Sequence, residues 1–339
     1  MFAAKVEKKD VGDAIKHLAE VNLLDRSRKV VRRDGFVEIP IVRRTDSYRC
    51  VVQAKPVYSR PRISPEFVKK SLMEELSEEE TKMLKGGWEF IGRVMVIQVP
   101  PGLESKKYFI GEKLLEIFPR AKAVINRKGI KSEFREPNAE IIAGKETETI
   151  HRENNCMFRI DPLKVMFCAG NIEERRRMAY ISNENEVVLD LFSGIGQFTI
   201  PIAKHSKPRK VISVEKNKVA FEYLTQNVEL NRLKNVYPVL GDCREVDYTN
   251  EIDRVVMGYL FNTIEFLPHA ARALKQRGVI HYHGIAAKKD IPRAVGRVKK
   301  ILSKLGCSAD VEPRIVKSYA PMLWHFVFDI KVGRACKSG

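Results

Sequence analysis

No apolar run in the 339 residues reaches membrane-spanning length, and the opening MFAAKVEKKDVGD lacks the long apolar stretch of a secretory signal. The six cysteines (50, 156, 168, 243, 307 and 336) form no CxxC pair, and no histidine stands at zinc-ligand spacing. Internal repeats and low-complexity tracts are missing too. Together these absences argue against a membrane protein, a secreted disulfide scaffold and a zinc domain. The expectation is a reduced, cytoplasmic, monomeric protein without a metal.

Acidic residues are also in short supply: 61 Lys and Arg face 43 Asp and Glu, a formal net charge of +18. A surface rich in Lys and Glu can reflect adaptation to heat, but such surfaces usually balance their signs. An unbalanced excess attracts polyanions at long range and points to nucleic acid. Hydrophobic residues make up 44% of the chain, enough for sizeable cores.

Three regions follow one another. Residues 1–58 mix the amphipathic VGDAIKHLAEVNLL with the basic DRSRKVVRRDGF and read as a small α+β module. The proline-spaced KPVYSRPRISPEF (55–67) forbids continuous helix and marks a connector. Residues 64–160 open with a helical stretch, VKKSLMEELSEEETKMLKGG. Strands then follow at FIGRVMVIQV, AKAVINRK, AEIIAG and CMFRID, with helical spacing in GEKLLEIFP. Residues 161–339 alternate the strands EVVLDLF, RKVISVE, VYPVLGD, DRVVMGY and GVIHYHG with helices such as KVAFEYLTQNVELNRL and IEFLPHAARALKQR. Apolar strands alternating with helices predict a parallel sheet covered on both faces. The last two strands, ADVEPRIVKSY and WHFVFDIKV, have no helix between them. A parallel sheet closed by an antiparallel hairpin is the order of the class I S-adenosylmethionine-dependent transferases, a Rossmann-like, seven-stranded α/β fold.

The cofactor constellation agrees. DLFSGIGQF (190–198) is a strand entering a turn in which Gly194 and Gly196 let the backbone bend tightly and leave room for a ligand. Glu215 ends the next strand, where an acid can accept from ribose hydroxyls. Asp242 ends the third, where it can accept from an adenine amino group while Cys243 offers its backbone N–H. Either acid alone could merely cap a turn. Asp190, Glu215 and Asp242 in order at successive strand ends point to S-adenosylmethionine.

At these residues the chain resembles enzymes that modify the purine just 3′ of the tRNA anticodon. The likeness extends over nearly the whole sequence, including KGIKSEFREP and the strand pair around HRENNCMFRID. One branch of that family methylates guanine or a later tricyclic intermediate. The other transfers the 3-amino-3-carboxypropyl group of S-adenosylmethionine in wybutosine synthesis. The methylating branch carries Ser-Pro-Arg before the transferase domain and Asn-Leu-Pro or Asn-Pro-Pro after the fourth strand. Here those places hold Cys168-Ala169-Gly170 and Gly258-Tyr259-Leu260. The MF-x-x-GN run matches the aminocarboxypropyl branch, which has Ser where this chain has Cys168, a weaker side-chain donor. A backbone contact at residue 168 survives that exchange. All three carbons on the sulfonium are electrophilic, and the enzyme selects by aiming one at the nucleophile. Without the Asn and Pro, the methionine arm is free to present its γ-carbon, and the products become the modified tRNA and methylthioadenosine.

The resemblance implies roles for particular residues. Cys168, Arg175, Glu215, Asp242 and Cys243 would bind the donor, with the Arg175 guanidinium on the methionine carboxylate. Alternatively, EERRR is an ordinary charged helix face. Glu174 matches an acid near the target base and could abstract a proton, or it could form a capping box with Asn171. Arg135 matches a family arginine that reaches the base or its phosphate from the middle, tRNA-binding domain, or it pairs with Glu136 or Glu140. Met166 stands in place of a family tyrosine. His281 and His283 share one strand face without a third ligand nearby and read as core. The implied acceptor is 4-demethylwyosine at position 37 of tRNA(Phe). The alternatives are methyl transfer to the same nucleoside, and a tRNA-binding protein that has lost its chemistry.

Overall fold

A computed structural model describes residues 2–25, 28–52, 63–84, 87–132, 135–248 and 251–333. Its contacts divide the chain into two compact units, Met1–Val68 and Lys69–Gly339.

In the first unit, β1 (Phe2–Glu7), β2 (Val31–Arg32), β3 (Phe36–Pro40) and β4 (Arg49–Val52) form an antiparallel sheet in the order β2-β3-β1-β4. Helix α1 (Val11–Glu20) buries Ala14 and Leu18 against Ala4, Val37 and Ile39 of that sheet. The unit boundary falls within α2 (Pro65–Leu72).

The expected long helix after the connector is broken in two. Ser77 starts α3 (Glu78–Met83): its hydroxyl accepts from Glu80 N–H while the Glu80 carboxylate accepts from Ser77 N–H at 2.8 Å, a capping box. FIGRVMVIQV likewise folds back on itself as β5 (Glu89–Ile91) and β6 (Val94–Ile97). Gly92 takes φ +58° at the bend, and a Cβ there would overlap Thr149 Oγ1. Together with β7 (Ala123–Lys131) and β8 (Glu136–Gly144) these strands make a sheet in the order β5-β6-β7-β8, covered by α4 (Lys107–Ile117). A hairpin of β9 (Thr149–Glu153) and β10 (Cys156–Ile160) turns at Asn154 and Asn155, both in left-handed conformation, as a two-residue type I′ turn requires.

The seven-stranded sheet has the order β13-β12-β11-β14-β15-β17-β16. Its strands are β11 (Val187–Asp190), β12 (Lys210–Glu215), β13 (Val236–Leu240), β14 (Ile252–Met257), β15 (Leu274–Ala286), β16 (Ala309–Ala320) and β17 (Leu323–Val332). The first five run parallel, and the closing β16–β17 hairpin is antiparallel. Helices α5 (Ile172–Met178), α6 (Thr199–His205) and α7 (Lys218–Leu230) cover one face, with Val188 and Val256 beneath them. The other face packs Leu189, Val255 and Met257 against α8 (Leu267–Ala273) and α9 (Ile291–Lys304).

Two readings of the sequence change. The helix expected through LKQR stops at Ala273, because Leu274 turns extended (φ −67°, ψ 144°) and pairs with Ile252 in the sheet. Sheet pairing outweighs local helix propensity there. The cysteines are not all thiols: Cys50, Cys156, Cys168 and Cys243 are free, but Cys307 is disulfide-bonded.

The middle sheet and the seven-stranded sheet share one core. Ile91, Val94 and Ile125 lie in the same buried cluster as Phe158 and Ile160 of β10 and Ile200 and Leu224 of α6 and α7. The open edge of β10 is also closed by side chains of α7. Asn231 bonds both Met157 N–H and C=O, and Asn227 bonds both Arg159 N–H and C=O. Asparagine amides thus replace the next strand of a ladder, satisfying four backbone groups.

Candidate active site

An open cleft of about 510 Å³ lies at the carboxyl ends of β11 to β14, beside the strand-order reversal between β11 and β14. Gly194 (φ +54°) and Gly196 (φ +93°) bend the chain after β11. Gly196 is packed so closely that a Cβ would meet Ile200 Cγ1 at 2.7 Å. At Gly194 and Gly241, both in the cleft wall, a Cβ would meet no protein atom within 4 Å. Such a side chain would stand in the cleft itself, so the glycines keep that volume open for a ligand.

Glu215 lies in the wall at the end of β12, its Oε2 accepting from Gly194 N–H at 2.7 Å and its Oε1 from Asn217 N–H at 2.8 Å. Burial pushes its carboxyl above the usual range, against the pull of these backbone donors. Backbone N–H groups hold the carboxylate in place, and its remaining lone pairs can accept from a diol. Asp242, at the turn after β13, holds Arg244 in a fork, Oδ1 accepting from Nε at 2.9 Å and Oδ2 from Nη2 at 2.5 Å. These bonds, with Lys216 at 3.4 Å, hold the Asp242 carboxyl well below the usual range. Cys243 follows in the wall, its thiol pushed up to about 12 by burial. Only the backbone of Cys243 is suited to meet a ligand. Phe192, Tyr259 and Phe266 complete this end as an aromatic cluster, with Phe192 stacked on Tyr259 at 5.3 Å and edge-on to Phe266 at 4.9 Å.

Asp190 acts from behind. It is fully buried, accepts from Thr199 Oγ1 at 2.8 Å, and burial raises its carboxyl to about 6. It shapes the glycine turn and does not line the cleft.

At the other end stand Met166, Cys168, Asn171, Arg175, Gln197 and Lys317. Arg175 is 1% exposed and bonded to protein through all three of its nitrogens. Glu153 takes its Nε and Nη2 at 2.6 Å each, Nη1 donates to Cys168 O at 2.7 Å, and the guanidinium lies over the Phe167 ring. Burial would raise the Glu153 carboxyl, but Arg175 and His151 outweigh it and hold it at about 2. Its carboxylate partner is therefore Glu153, where a methionine carboxylate was expected. Gln197 ties the same segment down, donating to Met166 O at 3.1 Å.

Glu174 departs further from its expected roles. Asn171 makes no side-chain cap bond, so no capping box forms. Glu174 is buried away from the cleft wall, paired with Arg177 at 2.8 Å and with Arg314 of β16. Burial opposes ionisation, yet these arginines and His283 keep the carboxyl at about 2. A carboxylate held this low is a weak base, and Glu174 is not among the residues of the cleft wall. Its bond with Arg314 ties α5 to β16.

Arg135 does line the cleft, and its guanidinium lies 5.1 Å from the Phe261 ring. Glu140, one of its candidate partners, is claimed instead by Lys107 and Lys128. Phe261 is 43% exposed and meets Tyr319 (38% exposed) edge-on at 6.1 Å, giving an aromatic rim. Below the rim, a Cβ on Gly258 would approach Phe198 Cε2 to 3.0 Å, so any side chain there would push that ring. Met166 contributes its side of the wall.

His281 and His283 are buried in β15. Arg254 donates to His281 Nε2 at 2.7 Å, which makes Nδ1–H the donor to Asp329 at 2.5 Å. His283 lies 3.0 Å from His325. Among the described residues no cluster of His, Cys, Asp or Glu is arranged to hold a metal ion, and no helix is long and apolar enough to cross a membrane.

Sequence reasoning missed Gln197, Phe266, Tyr259, Phe261, Tyr319 and Lys317. Gln197 sits one residue past Gly196 and was within reach of a closer look at that turn. Lys317 is 149 residues from Cys168, and no local pattern links them.

Comparison with known proteins places this geometry. Residues 149–311 match the TRM5/TYW2 methyltransferase domain, 68–147 the TYW2 N-terminal domain, and 3–49 the tRNA methyltransferase 5 N-terminal domain. A tRNA(Phe) (4-demethylwyosine(37)-C(7)) aminocarboxypropyltransferase from Methanocaldococcus jannaschii is 46% identical, over 73% of this chain and 98% of its own length. The crystal structure of Pyrococcus horikoshii TYW2 in complex with MeSAdo superposes with a TM-score of 0.71 at 33% identity, over 81% of this chain and all of that one. Trm5b from Pyrococcus abyssi superposes with a TM-score of 0.72 at 31% identity, over 98% of this chain and 99% of that one. On these similarities, taken with the strand order and the cleft, the chain belongs to the TRM5/TYW2 family, on the side of its 4-demethylwyosine aminocarboxypropyltransferases.

Proposed function

We propose that the chain transfers the 3-amino-3-carboxypropyl group of S-adenosylmethionine to C7 of 4-demethylwyosine at position 37 of tRNA(Phe). S-Adenosylmethionine supplies an electrophilic γ-carbon on its sulfonium, and transfer leaves methylthioadenosine. Glu215 accepts from the ribose hydroxyls, Asp242 from the adenine amino group, and Cys243 donates its backbone N–H to the adenine ring. Phe266 and Phe192 wall the base. Cys168 acts through its backbone, which Arg175 and Gln197 hold in place. Arg135 and the Phe261–Tyr319 rim receive the acceptor, as aromatic and guanidinium planes receive unstacked bases.

The observation that carries the choice of group is the wall at Gly258. The methylating branch has an asparagine there, but here Phe198 closes on a residue without a side chain. The place that holds an asparagine in the methylating branch thus offers no side-chain amide to a target base. The excess positive charge supports a tRNA partner. A monomeric protein acting in the cytoplasm is part of the same proposal. The functional division remains residues 1–58, 64–160 and 161–339, with the middle part presenting Arg135 to the transferase part.

Methyl transfer is favoured by one observation, the match of residues 3–49 to the tRNA methyltransferase 5 N-terminal domain. Incubation with tRNA(Phe) carrying 4-demethylwyosine, followed by nucleoside mass spectrometry, separates the two. A mass gain of one aminocarboxypropyl group is expected, and a gain of one methyl group overturns the proposal.

A further inference from the structure

The amino-acid end of the donor is a zwitterion and needs one cationic partner and one acceptor. Arg175 is not the cationic partner, because Glu153 neutralises it and two of its three nitrogens donate to that carboxylate. Lys317, reaching in from β16, meets the requirement. Its Nζ lines the cleft, donates to Cys168 Sγ at 3.1 Å, and has no carboxylate within ion-pair distance among the described residues. Thiol sulfur is a weak acceptor, so an arriving carboxylate would displace it readily. The ammonium stands directly over the backbone beside Asn171: a Cβ on Gly170 would lie 2.8 Å from Nζ. Asn171 also lines the cleft, and its Oδ1 is buried with no hydrogen-bond donor. A buried carbonyl oxygen without a donor is costly unless a ligand supplies one.

We infer that Lys317 and Asn171 form the head-group clamp of the donor site, Lys317 Nζ binding the α-carboxylate and Asn171 Oδ1 accepting from the α-ammonium. Both are positioning residues. The clamp fixes the far end of the arm whose γ-carbon is to be attacked, so it decides where the γ-carbon points relative to the acceptor rim. The inference rests on the donor being S-adenosylmethionine.

The test compares two ligands on the full-length protein by calorimetric titration. S-Adenosylmethionine carries the head group and methylthioadenosine does not. Wild-type protein should bind both; if it binds neither, the donor assignment itself fails, independently of the clamp. For Lys317→Met, S-adenosylmethionine affinity should fall roughly ten- to a hundredfold, the range for one hydrogen bond to a charged group, while methylthioadenosine affinity stays within about twofold. Lys317→Arg should recover much of the loss, and Asn171→Ala should show the same selectivity with a smaller drop. Equal weakening of both ligands would mean a structural role and would overturn the inference. So would unchanged S-adenosylmethionine affinity, including the case in which only tRNA binding is lost and Lys317 serves a phosphate.

Discussion

At the strand-end half of the cleft, Glu215 and Asp242 present carboxylates whose neighbours are backbone N–H groups, Arg244 and Lys216. At the other half, the charged groups facing the wall include Arg175, already neutralised by Glu153, Lys164, paired with Asp161, and Lys317, whose polar contact is a thiol. The first half offers acceptors and suits hydroxyl and amino donors of a nucleoside. The second offers a cation and a carbonyl oxygen and suits an amino-acid head. A donor spanning both halves is gripped at its two ends by opposite chemistry, and its sulfonium is left between them. The fold places these halves differently as well. The nucleoside half comes from consecutive β–α turns of one sheet, whereas the head-group half is assembled from α5, the glycine turn and the distant strand β16.

That difference can be broken from either side. The largest effect expected is on stability, from the buried tie beneath the head-group half. Glu174→Ala leaves Arg177 and Arg314 without their carboxylate, and should cost about 3–5 kcal/mol. Melting temperature by calorimetry should fall on the order of 10 °C, with turnover per folded molecule little changed. A collapse of turnover at unchanged melting temperature would restore Glu174 as a catalytic base. Next, Glu215→Ala should weaken S-adenosylmethionine and methylthioadenosine alike, by about a hundredfold, through loss of charged hydrogen bonds. Selective loss of one ligand would show that the nucleoside half had been misplaced. Smaller again, Phe261→Ala should lower kcat/KM for tRNA about tenfold, the scale of one base–aromatic stack, and leave calorimetric donor affinity unchanged.

The smallest effect appears only in acid. His283 and His325 lie behind the head-group half with Glu174, and burial holds them at about 3 and about 4, against an ordinary value of 6.5. The unfolded chain therefore takes up protons that the folded chain refuses. Stability from this pair is complete above about pH 6.5 and is lost as the pH falls from there towards 4. Melting temperature measured against pH should fall through that window, and less steeply in His283→Gln. An identical slope in the variant would remove the pair from the account.

The two halves were also unequally legible. Parallel buried strands read as continuous apolar runs, so the strands and their carboxyl ends followed from pattern, and Glu215 and Asp242 were picked out at those ends, whereas the order of strands within the sheet came only from the structure. The head-group half depends on tertiary pairing. Asn171 and Glu174 stand at capping-box spacing, but Asn171 makes no side-chain cap bond, its Oδ1 is buried without a donor, and Arg314, 140 residues away, claims the carboxylate. Arg175 carries the right charge at the right place in sequence, and only the fold brings Glu153 against it. FIGRVMVIQV reads as one strand because its apolar content continues across Gly92, and the bend comes from one positive φ.

The central claim is that the γ-carbon, and not the methyl carbon, meets the acceptor. Chromatography of the adenosine product after a single turnover on tRNA(Phe) bearing 4-demethylwyosine tests it most directly. One equivalent of methylthioadenosine per modified tRNA is the predicted result, and one equivalent of S-adenosylhomocysteine would contradict it.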